Sequence, residues 1–108
     1  MKIKYTRGDT DPFKFTLKDK DESPVDITGW SFLFTVNKNE NPINTADQQF
    51  QLVGVIDSGI EGKFSFRPTA TDTDIVGFFF YDVQRVDTNG YIKTLAKNEI
   101  EFTQDITK

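Results

Sequence analysis

Apolar residues in this chain recur at every second position, and this alternation constrains the fold more than any other feature. It runs through residues 2–6, 13–18, 30–36, 63–67 and 99–106, where phenylalanine, isoleucine and valine alternate with lysine, serine, threonine and glutamate. Successive residues of a β-strand point to opposite faces, so each segment places an apolar row on one side and a polar row on the other. This is the pattern of antiparallel strands with one buried face.

Turn-forming residues separate these segments. Asp19–Pro24 predicts a polar turn, and Thr88-Asn89-Gly90 predicts a type I′ hairpin, because Asn-Gly readily supplies two residues with positive φ. The longest polar stretch, Asn37–Asp47, predicts a loop. Short helical turns are expected over Ala46–Gln51 and over Pro68–Asp74, the latter with Thr71 capping toward Asp74.

Seven or eight short strands within 108 residues predict the fold class: an all-β, antiparallel β-sandwich, immunoglobulin-like, forming a single domain over residues 1–108. One local pattern agrees with this interpretation. Asp74, Gly77 and Tyr81 are spaced as in the segment that enters strand F of immunoglobulin domains. Phe79 stands where those domains have their corner tyrosine, so the hydroxyl hydrogen bond of that corner is absent.

The chain contains neither cysteine nor histidine, and this excludes many kinds of chemistry. No disulfide, thiolate nucleophile, zinc–thiolate site, Ser–His pair or Cys–His pair can form. Of the common metals only oxygen-coordinated Ca²⁺ or Mg²⁺ fits the remaining side chains. We therefore expect a protein that is not an enzyme, with no catalytic residue, no bound cofactor and no metal ligands.

The charge balance argues against a nucleic-acid partner, because 13 Lys and Arg stand against 17 Asp and Glu, a formal net charge of −4. No apolar run approaches the roughly 20 residues of a membrane span. The first residues contain no hydrophobic signal region, so we expect synthesis in the cytoplasm without a signal-peptide route.

Two motifs have both a functional and a structural interpretation. Arg7-Gly8-Asp9 spells the integrin-recognition tripeptide, but it joins two predicted strands, where Gly and Asp serve a turn. Asp19, Asp21 and Glu22 could offer oxygens to Ca²⁺, but the longer acidic series and central glycine of an EF-hand loop are missing. The structural interpretation is favoured for both motifs.

Paired carboxylates and aromatic rings are the other candidates. Asp72 with Asp74, or Glu99 with Glu101, share a strand face and could act as an acid–base pair, as in glycoside hydrolysis. A chain of this size has little backbone to build the necessary cleft, so exposed strand rows are favoured. Four aromatic residues could stack on sugar rings: Trp30, Tyr5, Tyr81 and Tyr91. Of these, Trp30 is expected in the core and Tyr91 on the surface.

The segment Gly77–Val83 is apolar on both faces, which a strand with one wet face should not be. Phe79, Tyr81 and Val83 form one row, while the second row contains Phe78, Phe80 and Val86. Either a loop such as Asn37–Asp47 covers the second row, or another subunit does. We therefore identify Phe78, Phe80 and Val86 as a candidate interface, because large exposed apolar patches usually mark interaction sites.

A series of short motifs also runs in order along nearly the whole chain. They are Arg7-Gly8-Asp9-Thr10, Phe13-Lys14-Phe15, Pro24-Val25-Asp26-Ile27-Thr28-Gly29, Gly62-Lys63-Phe64-Ser65-Phe66-Arg67-Pro68, Tyr81-Asp82-Val83-Gln84 and Phe102-Thr103-Gln104-Asp105-Ile106-Thr107. In this order they resemble the N-terminal domain of bacteriophage baseplate upper proteins and related small phage tail proteins. Those proteins continue into coiled-coil and host-facing regions, whose functions are not carried over to this chain.

The resemblance implies a non-enzymatic structural module of a bacteriophage tail or baseplate, located in the virion and acting by protein–protein assembly. Its implied partners are other tail or baseplate proteins, or further copies of the same chain, and neither nucleic acid nor membrane. The alternative function is a β-sandwich module that binds cell-surface glycans through exposed aromatic residues such as Tyr91.

Overall fold

The strands of this protein form two facing β-sheets. The computed structural model describes residues 2–40 and 46–105, and within those residues it contains eight strands and no helix. The strands are β1 (Ile3–Thr6), β2 (Phe13–Thr16), β3 (Ser31–Asn37), β4 (Gln48–Val53), β5 (Val55–Ser58), β6 (Lys63–Phe66), β7 (Gly77–Val86) and β8 (Ile92–Thr103). The predicted all-β sandwich is confirmed.

The larger sheet has five strands in the order β1-β8-β7-β3-β4, and the smaller has three in the order β2-β6-β5. All neighbouring strands are antiparallel except β1 and β8, which run parallel from Ile3 opposite Ile100 to Thr6 opposite Thr103. The prediction of a wholly antiparallel sandwich is therefore wrong for the larger sheet, which is mixed. The physical reason is that β1 does not pair with β2: the chain crosses to the other sheet between them.

The core lies between the sheets and consists largely of stacked phenyl rings. Phe32 of the larger sheet stacks on Phe64 of the smaller, with ring centroids 3.9 Å apart and planes 8° apart. Phe34 stacks in the same way on Phe13, at 4.6 Å, and also on Tyr81 of its own sheet. Offset aromatic pairs of this kind contribute about 0.5–1.5 kcal/mol each beyond their burial. The alternating rows predicted from the sequence are the rows that meet here.

The strands β4 and β5 were not predicted, and β4 replaces the helical turn expected over Ala46–Gln51. Phe50 and Leu52 are buried while their neighbours are exposed, which is a strand pattern. Gly54 separates the two strands at the corner where the chain leaves the larger sheet for the smaller. A Cβ at this position would lie 2.8 Å from the Cβ of Phe32, so no side chain fits.

The hairpin between β7 and β8 also differs from the prediction. Gly90 has a φ of 83°, but Asn89 has no positive φ, so the turn is not type I′. Asp87 organises it instead: its carboxylate accepts hydrogen bonds from the backbone N–H groups of Asn89 and Tyr91. The loop is one residue longer than the predicted type, with the glycine in the left-handed position that such loops require.

The turn over Pro68–Asp74 is capped differently from the prediction. The backbone N–H and hydroxyl of Thr69 donate to the Asp72 carboxylate, and the Asp72 N–H donates to the Thr69 hydroxyl. Thr69 and Asp72 thus form the reciprocal cap expected for Thr71 and Asp74. The buried Thr73 hydroxyl ties this turn to the carbonyl of Asp9 at 2.8 Å.

Candidate functional site

The two faces of β7 are both rich in apolar residues, but they lie in different surroundings. On the inner face, Phe79 and Tyr81 are buried in the core at 8% and 2% exposure. On the outer face, Phe78 is 69% exposed, whereas Phe80 and Val86 are half-buried. β8 pairs with the whole of β7, whereas β3 pairs only with Phe80–Val86, so Phe80 and Val86 lie between two strands and Phe78 lies beyond the end of β3.

The ring of Phe78 has charged groups beside it and also lines a groove together with Ile75 and Val76, the latter 49% exposed. The Lys2 ammonium lies 5.6 Å from the ring centroid, within the range of a cation–π contact. The same ammonium is 4.0 Å from the Glu99 carboxylate, and Glu101 is the residue of β8 directly opposite Phe78. An exposed aromatic ring with a charged rim has the composition of a protein-interface anchor.

Phe80 lies two residues further along and is partly covered. It is opposite Asn37 of β3 and Glu99 of β8, and it lines a small cleft together with Glu40 and Lys97. This cleft of about 60 Å³ adjoins a second opening of about 330 Å³, which shares Glu40, Phe80 and Lys97 and is also lined by Asn98 and Glu99. The loop Asn37–Asp47, which was predicted to cover the outer row, therefore begins beside Phe80. Residues 41–45 of that loop lie outside the described chain.

Asp82 is a titratable group in this cleft, together with Glu40 and Lys97. Burial raises its pKa above the ordinary value, while the positive charge of Lys97, directly opposite on β8, works in the other direction. Desolvation of the carboxylate thus outweighs the attraction of the nearby positive charge. A half-buried carboxyl beside an ammonium can bind a polar group of a partner, but it offers no acid–base pair for catalysis.

Val86 is separated from the two phenylalanines. It lies at the far end of β7, opposite Ile92, which is 68% exposed. Asp82 and Gln84 occupy the positions between Phe80 and Val86 on the same face. The predicted row is therefore two apolar groups: Phe78 with Phe80 at one end of the strand, and Val86 with Ile92 at the other.

Arg7-Gly8-Asp9 has a structural role. The Arg7 Nε is 3.5 Å from the Asp74 carboxylate and 3.3 Å from that of Asp105. Gly8 has a φ of 81°, and its N–H donates to the carbonyl of Thr73. The triplet makes the crossover between the sheets, and its arginine is engaged within the chain.

The acidic candidates are also held in local structure. Asp19 accepts hydrogen bonds from the N–H groups of Asp21 and Ser23, which stabilises the predicted turn. Asp72 caps its turn and Asp74 pairs with Arg7, so the two do not act together. Among the described residues, no group of three or more Asp, Glu, His or Cys side chains could hold a metal ion.

Of the four aromatic candidates for sugar binding, Tyr91 is on the surface, as predicted, and Trp30 packs against the core. Trp30 is partly buried against the core, with the Arg85 guanidinium 5.1 Å from its ring centroid, and Tyr91 is 69% exposed. Tyr81 is in the core. Tyr5 packs on Phe102 and donates its hydroxyl proton to the Asp11 carbonyl; burial, and then the charges of nearby aspartates, raise its pKa to about 12.

The sheet's outer features were only partly found from the sequence. Exposed Ile92 and Val53 were not singled out, since each is a lone apolar residue near a turn. A groove of about 490 Å³ on the smaller sheet, lined in part by Lys14, Lys63 and Arg67, was also missed. Lys63 and Arg67 are each paired with a carboxylate at 3.4 Å, so the groove is not a strong anion site.

Comparison with known proteins gives likenesses among solved structures, and none among family models or curated proteins. Among solved structures, CopC from Methylosinus trichosporium OB3b is similar with a TM-score of 0.56 and 11% sequence identity, over 99% of this chain and 88% of that one. At this identity the likeness supports the sandwich fold alone.

The predicted function needs correction on this comparison. The solved structure that the chain resembles is CopC of Methylosinus trichosporium OB3b and not a phage tail or baseplate protein, and no comparison supports the predicted module. The prediction of a tail structural module is therefore wrong, and the alternative of a glycan-binding module has no support either. The sequence resemblance to baseplate upper proteins stays a prediction. None of the described segments forms a helix with the length and apolar character that a membrane span requires.

Proposed function

We propose that this chain is a non-catalytic protein-binding module, and that it binds a protein partner through the outer face of β7 around Phe78. The observation that carries the proposal is the 69% exposure of Phe78, near the start of the central strand β7 and beyond the end of β3. Leaving such a ring in water forgoes about 25 cal/mol for each Å² that a partner would cover.

The surroundings of Phe78 suggest what the partner offers. Lys2, Glu99 and Glu101 form a charged rim on the β8 side of the ring, and Phe80 adds a half-buried apolar neighbour. A matching surface has an apolar pocket for the phenyl ring and a rim of both charge signs. Aromatic anchors of this kind dominate binding energies at protein interfaces.

A copper-binding function, by analogy with CopC, does not fit the side chains of this protein. Copper sites in proteins use imidazole, thiolate and thioether ligands. The chain has no histidine and no cysteine, and its one methionine is Met1, outside the described residues. The donor set needed for copper is therefore missing, and we derive no function from that metal.

We also infer that the sandwich has an immunoglobulin-like strand order. Immunoglobulin domains combine strands B, E and D in one sheet with G, F, C and C′ in the other. The orders β2-β6-β5 and β8-β7-β3-β4 have the same pattern of neighbours, which supports this assignment. In it β7 corresponds to strand F, and Phe79 to the corner tyrosine.

The experiment that tests the proposed function is photo-crosslinking in the source cells. A photoreactive phenylalanine analogue at position 78 is expected to form one dominant adduct with a second protein, which mass spectrometry identifies. The matched control carries the analogue at Tyr91, which is equally exposed but lies on the β7–β8 turn. An adduct at position 78 and none at position 91 supports the proposal. Equal labelling at both positions, or none at position 78, contradicts it.

A further inference from the structure

The four edge strands of this sandwich are not protected equally. Edge strands expose unpaired N–H and C=O groups, and proteins usually blunt them with short length, lysine, proline or other charges. β1, β2 and β5 have four residues each and contain Lys4, Lys14 and Asp57, respectively. β4 has six residues, Gln48 to Val53, and no charge, proline or glycine. Residues 92–99 of β8, which β1 does not reach, form a longer edge, but that edge contains Lys93, Lys97 and Glu99. β4 is therefore the longest uncharged edge among the described strands.

The pairing of β4 with β3 shows which of its backbone groups face outward. The N–H of Gly54 donates to the carbonyl of Phe32 at 2.8 Å, and the register continues with Leu33 opposite Val53 and Phe34 opposite Leu52. In antiparallel pairs, residues that bond to the neighbour alternate with residues that do not. Leu52 therefore bonds to β3, whereas the N–H and C=O groups of Gln51 and Val53 point to the free edge.

A second copy of the same strand satisfies those groups in a definite register. If two β4 strands run antiparallel about an axis at Leu52, Gln51 of each copy lies opposite Val53 of the other. Each such pair exchanges two hydrogen bonds, and every outward group of both residues gains a partner. Leu52 meets Leu52 on the inner face, so the apolar side of both strands stays on the core side.

Charge and exposure favour a second copy as the occupant. A two-fold interface brings identical surfaces together, so a charged strand would meet its own charge, as Lys4 would at β1. β4 is uncharged and meets no such repulsion. Val53 is 72% exposed, and the pairing covers it with the Gln51 side chain of the other copy.

We propose that β4 is a dimerisation edge: two copies of this chain pair antiparallel through Gln51 and Val53, with Leu52 at the two-fold axis, and their larger sheets become one continuous sheet. This surface is distinct from the outer face of β7, so the proposal goes beyond the protein-binding function and does not depend on it.

Sedimentation velocity over a roughly thousandfold concentration range tests the proposal. The wild-type chain is expected to be a concentration-dependent dimer. Gln51→Pro removes an N–H that points to the edge and leaves the β3 ladder intact, so it should fold and raise the dimer dissociation constant about tenfold or more. Gln51→Lys, which adds an edge lysine at an exposed position, should have the same effect and serves if the proline variant does not fold. Thr94→Lys, exposed on β8 at the opposite side of the larger sheet from β4, is the matched control and should dimerise like wild type.

Cysteine crosslinking tests the register, and the chain has no native cysteine to interfere. Leu52→Cys should form an intermolecular disulfide, because directly opposite residues have Cα atoms close enough for one. Gln51→Cys should not, because the two copies of residue 51 then lie diagonal to each other.

A wild type that is monomeric throughout, or a Gln51→Pro variant that dimerises normally, overturns the proposal. A crosslink at position 51 in place of position 52 overturns the stated register. The proposal of a β4 dimer is also overturned if Phe78→Ser abolishes the dimer and Gln51→Lys does not. That result would assign the contact between copies to the outer face of β7.

Discussion

The two faces of β7 have nearly the same composition and opposite environments. Phe79 is 8% exposed and contacts the ring of Phe102 edge-on, at a centroid distance of 5.9 Å. Phe78, the next residue toward the N-terminus, is 69% exposed and contacts the ammonium of Lys2. Hydrophobicity alone therefore does not tell which face of a central strand is the core. What decides is the second sheet, which covers only one of the two rows.

The difference between the rows implies different roles. The inner row stabilises the fold, because its rings are removed from water in every molecule. The outer row gains its burial only when a partner is bound, so its contribution belongs to the free energy of binding. Substitutions at neighbouring positions should separate these two contributions, and the following predictions are arranged by the size of the expected effect.

The largest effect is expected at the inner row. Phe79→Ala removes a buried ring and leaves a cavity, which should lower the free energy of unfolding by about 3–5 kcal/mol. Phe78→Ala is the matched control on the adjacent residue, and it should lower that free energy by less than about 1 kcal/mol. Urea denaturation of both variants measures the difference. Equal losses would show that the two faces are not distinguished as described.

An intermediate effect is expected at Phe80, which is half-buried beside Glu40 and Lys97. Fully burying a phenylalanine is worth about 1.5–3 kcal/mol, so Phe80→Ser should lower the free energy of unfolding by about half of that. Thermal melting should still show a cooperative transition. A loss as large as that of Phe79→Ala would mean that the outer row is internal at this point.

The smallest effect concerns Asp82 and its dependence on pH. Burial raises the pKa of this carboxyl, so the folded state holds the proton more tightly than the unfolded state does. The stability that protonation provides is present below the unfolded pKa and is lost as the pH rises through the folded pKa. Asp82→Asn removes this loss, so the variant should melt at a higher temperature than wild type near pH 7. The gap should shrink toward about pH 3. A variant that is less stable than wild type at neutral pH would show that the attraction of the Lys97 charge outweighs burial.

Several parts of the fold could be predicted from the sequence because they are local. The alternation in residues 13–16 and 31–37 identified β2 and β3, together with the side of each strand that faces the core. Gly90 marked the β7–β8 turn, although the detailed turn type depends on the Asp87 carboxylate. The double apolar character of β7 drew attention to Phe78, but it left open whether a loop of the chain or another subunit covers that row.

Other parts could not be predicted, because they depend on contacts between distant segments. The parallel pairing of β1 with β8 joins the two ends of the chain, and no local pattern specifies that partner. β4 was missed because its glutamines resemble the polar loop before it, although Phe50 and Leu52 alternate correctly. The separation of Val86 from Phe80 follows from the length of β7, which the sequence pattern underestimated.

The central claim is that Phe78 serves binding and not folding, and one measurement tests it most directly. The protein identified by crosslinking at position 78 is purified, and its affinity is measured by calorimetry for the wild-type chain and for Phe78→Ala. The account predicts a melting temperature close to that of wild type together with an affinity at least about tenfold lower, as for an interface anchor. An unchanged affinity in a normally folded Phe78→Ala variant would contradict it.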